Sequence, residues 1–128
     1  MSNSTASANL APISGVAGRY ATALFDLALD AGTLEAVEGE LKSLQSAIDG
    51  SSDLKAFLKS PVYDRDDQLR AVEALAEKAG FGALVTNFLK LIAKNRRLFA
   101  LEDMIRAFRA LAADHRGEVS AEAATAAP

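Results

Sequence analysis

The sequence predicts an all-α protein, a compact bundle of six helices, and three observations carry that expectation. Half of the 128 residues are apolar, much of that share Ala and Leu, with few β-branched residues and only three prolines. That balance favours helix over strand. The apolar residues recur at spacings of three and four in six segments, and no alternating pattern of useful length interrupts them. The connections between segments are short, as in helical bundles. A chain of this length supports a single domain with an adequate core.

Residues 1–12 are rich in Ser, Asn and Ala with little to bury, and are expected to form a mobile tail before a domain spanning 13–117. Ser14 is the expected N-cap of the first helix, which stops near Ala31 with Gly32 beyond it. Thr33 is the expected cap of the second, whose apolar positions are Leu34, Val37, Leu41, Leu44 and Ile48 and which Gly50 ends. On its outer side Glu38 and Lys42 form an i,i+4 pair. The third helix starts at Ser52 or Asp53, carries Leu54, Phe57 and Leu58, and stops before Pro61, which pushes Ser60 out of the helical region.

Asp64 and Asp67 resemble a capping box opening the fourth helix, with Asp in place of the usual Glu. That helix runs through Leu69, Val72, Leu75 and Ala79 to Gly80, and its acidic first turn suits the positive end of the helix dipole. The fifth helix spans about Gly82 to Lys94 and the sixth about Leu98 to His115. The sixth turns Leu101, Met104, Ile105, Phe108, Leu111 and Ala112 inward and Glu102, Arg106 and Arg109 outward; Arg116 and Gly117 are expected to close it. Residues 118–128 have lost the helical stripe and read as linker.

Little in the chain points to chemistry. A net charge of -3 argues against nucleic acid as the main partner and against a polybasic membrane anchor. Absence of cysteine excludes disulfides and thiolate ligands. No apolar run reaches the roughly 20 residues that span a bilayer, so no direct membrane insertion is expected. Residues 1–12 contain neither Lys nor Arg nor an apolar run, so they are not read as a secretory or transit signal, and a cytoplasmic protein is expected. His115 stands alone and reads as a polar residue ending a helix. The Asp64, Asp66, Asp67 cluster lacks the spacing of a calcium loop, and the glycines form no phosphate-binding motif. Lys94, Arg96 and Arg97 fall at a helix end, where cations are favoured, or on the rim of a protein contact. No catalytic group, metal or cofactor is expected.

The first helix offers more apolar surface than a bundle helix needs. Arg19, Thr22, Asp26 and Asp30 occupy a strip only about 80° wide. Opposite lie Ala17, Ala21, Leu24 and Ala28, with Phe25 beside them, and these are expected to be core. Val16, Tyr20, Ala23 and Leu27 form a second apolar flank within about 60° of one another. The fifth helix repeats the pattern: Val85, Phe88, Leu89 and Ile92 are expected core, while Leu84 and Leu91 sit on a flank. Two such flanks can form a groove for a third helix, or the bundle can bury them in itself.

Residues 16–28, V-A-G-R-Y-A-T-A-L-F-D-L-A, resemble the opening helix of the δ subunit of bacterial F-type ATP synthase, the family of the mitochondrial oligomycin-sensitivity-conferring protein. Residues 87–111, N-F-L-K-L-I-A-K-N-R-R-L-F-A-L-E-D-M-I-R-A-F-R-A-L, are similar to a second segment of that family, and Ser60-Pro61 fits as well. The resemblance covers about residues 13–123. It implies a non-catalytic stator subunit whose six-helix N-terminal domain holds an α-subunit N-terminal helix between helices one and five. Carried over by position, Val16, Tyr20, Ala23 and Leu27 would form one wall, and Leu84, Asn87, Leu91 and Asn95 the other. Arg96 and Arg97 would serve the turn after the fifth helix or the groove's rim. The b subunits of the peripheral stalk would attach through a C-terminal domain absent from this chain, to which 118–128 would lead. The implied location is the cytoplasmic face of the bacterial inner membrane, as a peripheral component of the complex. The rival reading is a free-standing helical adaptor that binds some other amphipathic helix.

Overall fold

The computed structural model describes residues 15–126, with side chains described for 15–117. The expected tail at 1–12 and the expected cap Ser14 lie outside the described residues. Within them six α-helices form: α1 Gly15–Ala31, α2 Leu34–Asp49, α3 Ser52–Lys59, α4 Arg65–Ala79, α5 Ala83–Lys94 and α6 Leu101–Ala126. A 3-10 turn at Leu98–Ala100 leads into α6, so the sixth helix begins as a tighter turn than expected.

Glycine closes α1 and α4 in the way the sequence implies. Gly32 (φ 68°) and Gly80 (φ 73°) take the left-handed conformation that costs glycine little. The Thr33 amide then donates to the Ala28 carbonyl (2.9 Å), and the Phe81 amide to the Ala76 carbonyl (3.0 Å). Both satisfy carbonyls that the helix end would otherwise orphan. Gly50 stays right-handed (φ -87°). There the chain turns at Ser51, which is extended and whose hydroxyl accepts from the Leu54 amide (3.1 Å), so Ser51 caps α3, which starts at Ser52 as expected.

Two expected caps differ in detail. Thr33 makes no side-chain cap bond, because its backbone (φ -120°, ψ 25°) lacks the extended geometry that aims a hydroxyl at the next amides. Asp64 does cap α4, accepting from the Asp67 amide at 2.8 Å. The Asp67 carboxylate does not answer as in a capping box; it accepts from Arg70 Nη2 at 2.6 Å. Glu38 likewise turns from Lys42 to Arg116 on α6. That pairing raises the Arg116 pKa above its ordinary value, first through the hydrogen bond and then through the charge of Glu38.

The sixth helix does not close at Arg116–Gly117 but continues to Ala126. A single helical glycine costs only about 1 kcal/mol relative to alanine. The Ala- and Glu-rich residues that follow can extend a helix already nucleated.

α1 packs chiefly against α6 and α4 chiefly against α5, while α2 touches α3, α5 and α6. The expected core strip of α1 is the buried one: Ala17, Ala21, Leu24, Phe25 and Ala28. Three of these five are alanines, which lets α6 approach closely. Phe25 meets Phe108 of α6 edge-on at 5.8 Å and His115 at 5.9 Å, so the lone histidine rests on a core aromatic. Val85, Phe88, Leu89 and Ile92 of α5 are buried as expected, together with Ala93.

Candidate functional site

The start of α1 lies beside the end of α5. Between them runs an open cleft of about 380 Å³, lined by Val16, Arg19, Tyr20, Ala23, Leu91 and Arg97. Tyr20 is half-buried, its ring packed on the core, and its hydroxyl accepts from Asn95 Nδ2 at 2.8 Å. That bond ties the two walls together at one end. Tyrosine suits such a place, apolar along the ring and polar at the tip.

Apolar side chains on both helices are partly bare. Leu27 is 54% exposed and Leu91 is 46% exposed, although alanines a turn away on α1 are sealed completely. Fully burying a leucine is worth about 1.5–3 kcal/mol, so two half-exposed leucines leave much of that unrealised.

The residues expected in the groove divide into two groups. Val16, Tyr20, Ala23 and Leu91 line the cleft, and Asn95 joins them through Tyr20. Leu27 and Asn87 are exposed without lining that cleft, and Leu84 is half-buried against the core. Arg19, read from sequence as part of the polar strip, is a lining residue. An arginine side chain is long enough to lie across a neighbouring apolar strip, which a wheel of Cα positions hides.

The two arginines after α5 have different tasks. Arg97 lines the cleft, whereas Arg96 holds the turn. Arg96 is the described non-glycine residue with positive φ (59°). Its conformation closes α5 with an Arg97 amide to Ile92 carbonyl bond (2.7 Å) and an Arg96 amide to Ala93 carbonyl bond (3.1 Å). A non-glycine residue there costs about 1–2 kcal/mol. Its Nη1 offsets that cost by donating to the Tyr63 carbonyl (2.8 Å) and to Oε1 of the buried Gln68 (3.2 Å). The Tyr20–Asn95 bond therefore hangs on a turn braced by the α3–α4 connection.

The other end of α5 is braced from α2. Both carboxylate oxygens of Glu40 accept from the Gly82 amide at 3.1 Å. Gly82 precedes a helix with no side chain to cap it, so a distant carboxylate serves both the amide and the dipole. The sequence signal was the glycine at an N-cap; which acidic residue would answer was not readable from it.

Comparison with known proteins gives the family. The model of the ATP synthase delta (OSCP) subunit matches residues 16–128. The chain belongs to that family. It is 60% identical over 114 residues to the ATP synthase subunit delta of Rhizobium rhizogenes, a match covering 89% of this chain and 61% of that relative. It is 58% identical over 114 residues to the corresponding subunit of Rhizobium meliloti, with the same coverage. The chain thus spans about three fifths of the length of these relatives of the delta family. Among the described residues no helix is long and apolar enough to cross a membrane.

Proposed function

We propose that this chain is the head-binding part of a non-catalytic stator subunit of F-type ATP synthase. Its α1–α5 groove receives the N-terminal helix of an α subunit. The subunit would hold the catalytic head still against rotary torque without performing chemistry. The remaining length of its relatives would supply the attachment to the b subunits, with the last turns of α6 leading toward it. Its place would be at the cytoplasmic face of a bacterial inner membrane, as a peripheral part of the complex.

The observation that carries the reading is the apolar α1–α5 cleft, walled by Val16, Tyr20, Ala23 and a Leu91 that is 46% exposed, with the exposed Leu27 on the same flank of α1 although outside the cleft lining. An amphipathic helix laid along them would complete their burial, in the helix-in-groove mode of recognition. Family membership supports the choice of guest.

Titration of the chain with a peptide of the α-subunit N-terminal helix tests the proposal. The expected result is saturable binding with little dependence on salt, since the contact is largely apolar. Absence of binding would overturn it in favour of a free-standing adaptor with another guest. A steep loss of affinity with salt would instead point to a polyanionic partner such as DNA.

A further inference from the structure

A second hollow lies away from the groove, inside the bundle where α3 leans on α2, α4, α5 and α6. It measures about 200 Å³, and its lining is almost wholly apolar. The floor is Ile48, Leu89 and Leu101, each 1% exposed or less. At the mouth stand Leu54, Phe57 and Leu75, all half-buried. Phe57 carries the Tyr63 ring against its outer side at 4.8 Å.

Protein interiors are normally packed to the density of organic crystals, with few voids larger than a water molecule. Water cannot profitably fill this one, because a buried water needs two to four polar partners and the walls are hydrocarbon. Left empty, the lining side chains lose dispersion contacts on one side. An engineered apolar cavity of about 150 Å³ stays dry and takes up benzene or xenon, and this one is somewhat larger.

Entry is also provided for. The inner wall is formed by the longer helices α2, α4, α5 and α6, but the outer wall is α3, a helix of eight residues ended by Ser60 and Pro61. A short helix contributes few core residues of its own; Leu58 is its buried one. It is therefore the wall that opens at least cost, in the sense that local opening favours segments with little buried apolar surface.

The geometry points to a binding site for a small uncharged hydrocarbon, a single aromatic ring with at most a short alkyl substituent, enclosed between α3 and α4. The site is independent of the α1–α5 groove, and it stands or falls without the stator assignment. A charged or strongly hydrogen-bonding ligand is excluded, since nothing on the walls would satisfy it.

Toluene is the probe. With the full chain in toluene-saturated buffer, the melting temperature is expected to rise by about 5 °C. Methyl NMR shifts should concentrate at Leu54, Leu58, Leu75 and Leu89, with Leu27 and Leu91 unmoved. Ala71→Leu, which grows a side chain into the hollow from α4, should remove both responses. Leu75→Phe provides a second blocked variant should Ala71→Leu fail to fold. No rise and no shifts in the unaltered chain would overturn the proposal. A toluene response that survives in a folded blocked variant would overturn it equally, by placing binding elsewhere.

Discussion

The two apolar strips of α1 have been treated oppositely by the fold. The strip that faces α6 is mostly alanine and is sealed, with Ala17, Ala21 and Ala28 at 0% exposure. The other strip carries Tyr20, half-buried at the cleft, and Leu27, exposed outside the cleft lining. Leaving Leu27 exposed forgoes a burial gain that scales with its apolar area. The alanines of the inner strip allow α6 to approach closely, and Leu24 and Phe25 fill the core beside them.

The strongest attempt to break that comparison places a charge on each strip in turn. Leu24→Asp should destabilise the chain by about 3–5 kcal/mol, enough to abolish its cooperative thermal melt, since an unpaired charge would be buried against α6. Leu27→Asp should leave the melt within about 0.5 kcal/mol of the original yet abolish capture of an α-subunit helix peptide. Equal destabilisation by both changes would erase the distinction between the strips.

Next in size is the groove's aromatic. Tyr20→Ala should weaken peptide binding by about 2 kcal/mol, the scale of an interface hot spot, as read by calorimetric titration. A loss below about 0.5 kcal/mol would make Tyr20 an internal bundle contact only.

The braced turn after α5 gives a smaller, two-part effect on denaturant unfolding. Arg96→Ala should cost about 1.5 kcal/mol, because it keeps the left-handed strain and strands the buried Gln68 oxygen. Arg96→Gly should cost about 1 kcal/mol less than that, since glycine adopts the conformation freely. If the two variants are equally stable, the strain argument fails.

The smallest effect is expected at the exposed Arg116–Glu38 pair. Arg116→Met should move the melting temperature by no more than about 1 °C, as befits a surface ion pair. The raised Arg116 pKa contributes stability that is present below the unfolded pKa and is lost as pH rises through the folded one. Both lie at strongly alkaline pH, so this pair's arginine should add no pH dependence to melts between pH 5 and 9.

Much of this was legible beforehand because it is local. Apolar spacing at three and four identifies α1 and its inner strip, and Gly32, Gly80 and Pro61 punctuate the chain for reasons confined to their own backbones. Where boundaries moved, the competing effect was also local but weaker. Gly117 reads as a stop, yet one glycine cannot end a helix that Ala-rich residues continue. α3 does start at Ser52, with the extended Ser51 before it as a cap that the spacing does not name.

The sequence by itself determined that six helices form, which face of α1 and α5 is core, and that each keeps a spare apolar flank. Those properties follow from helical periodicity, in which neighbours three and four apart share a face whatever the rest of the chain does. The tertiary structure alone decided that Val16, Tyr20 and Ala23 of one flank meet Leu91 of the other in a cleft, without Leu27 or Leu84, and that Asn95 bonds Tyr20 across it. It also chose Glu40 to cap α5 and Gln68 to hold Arg96. These are contacts between residues 28 to 75 positions apart, set by how whole helices pack, and no local rule of spacing or propensity contains that information.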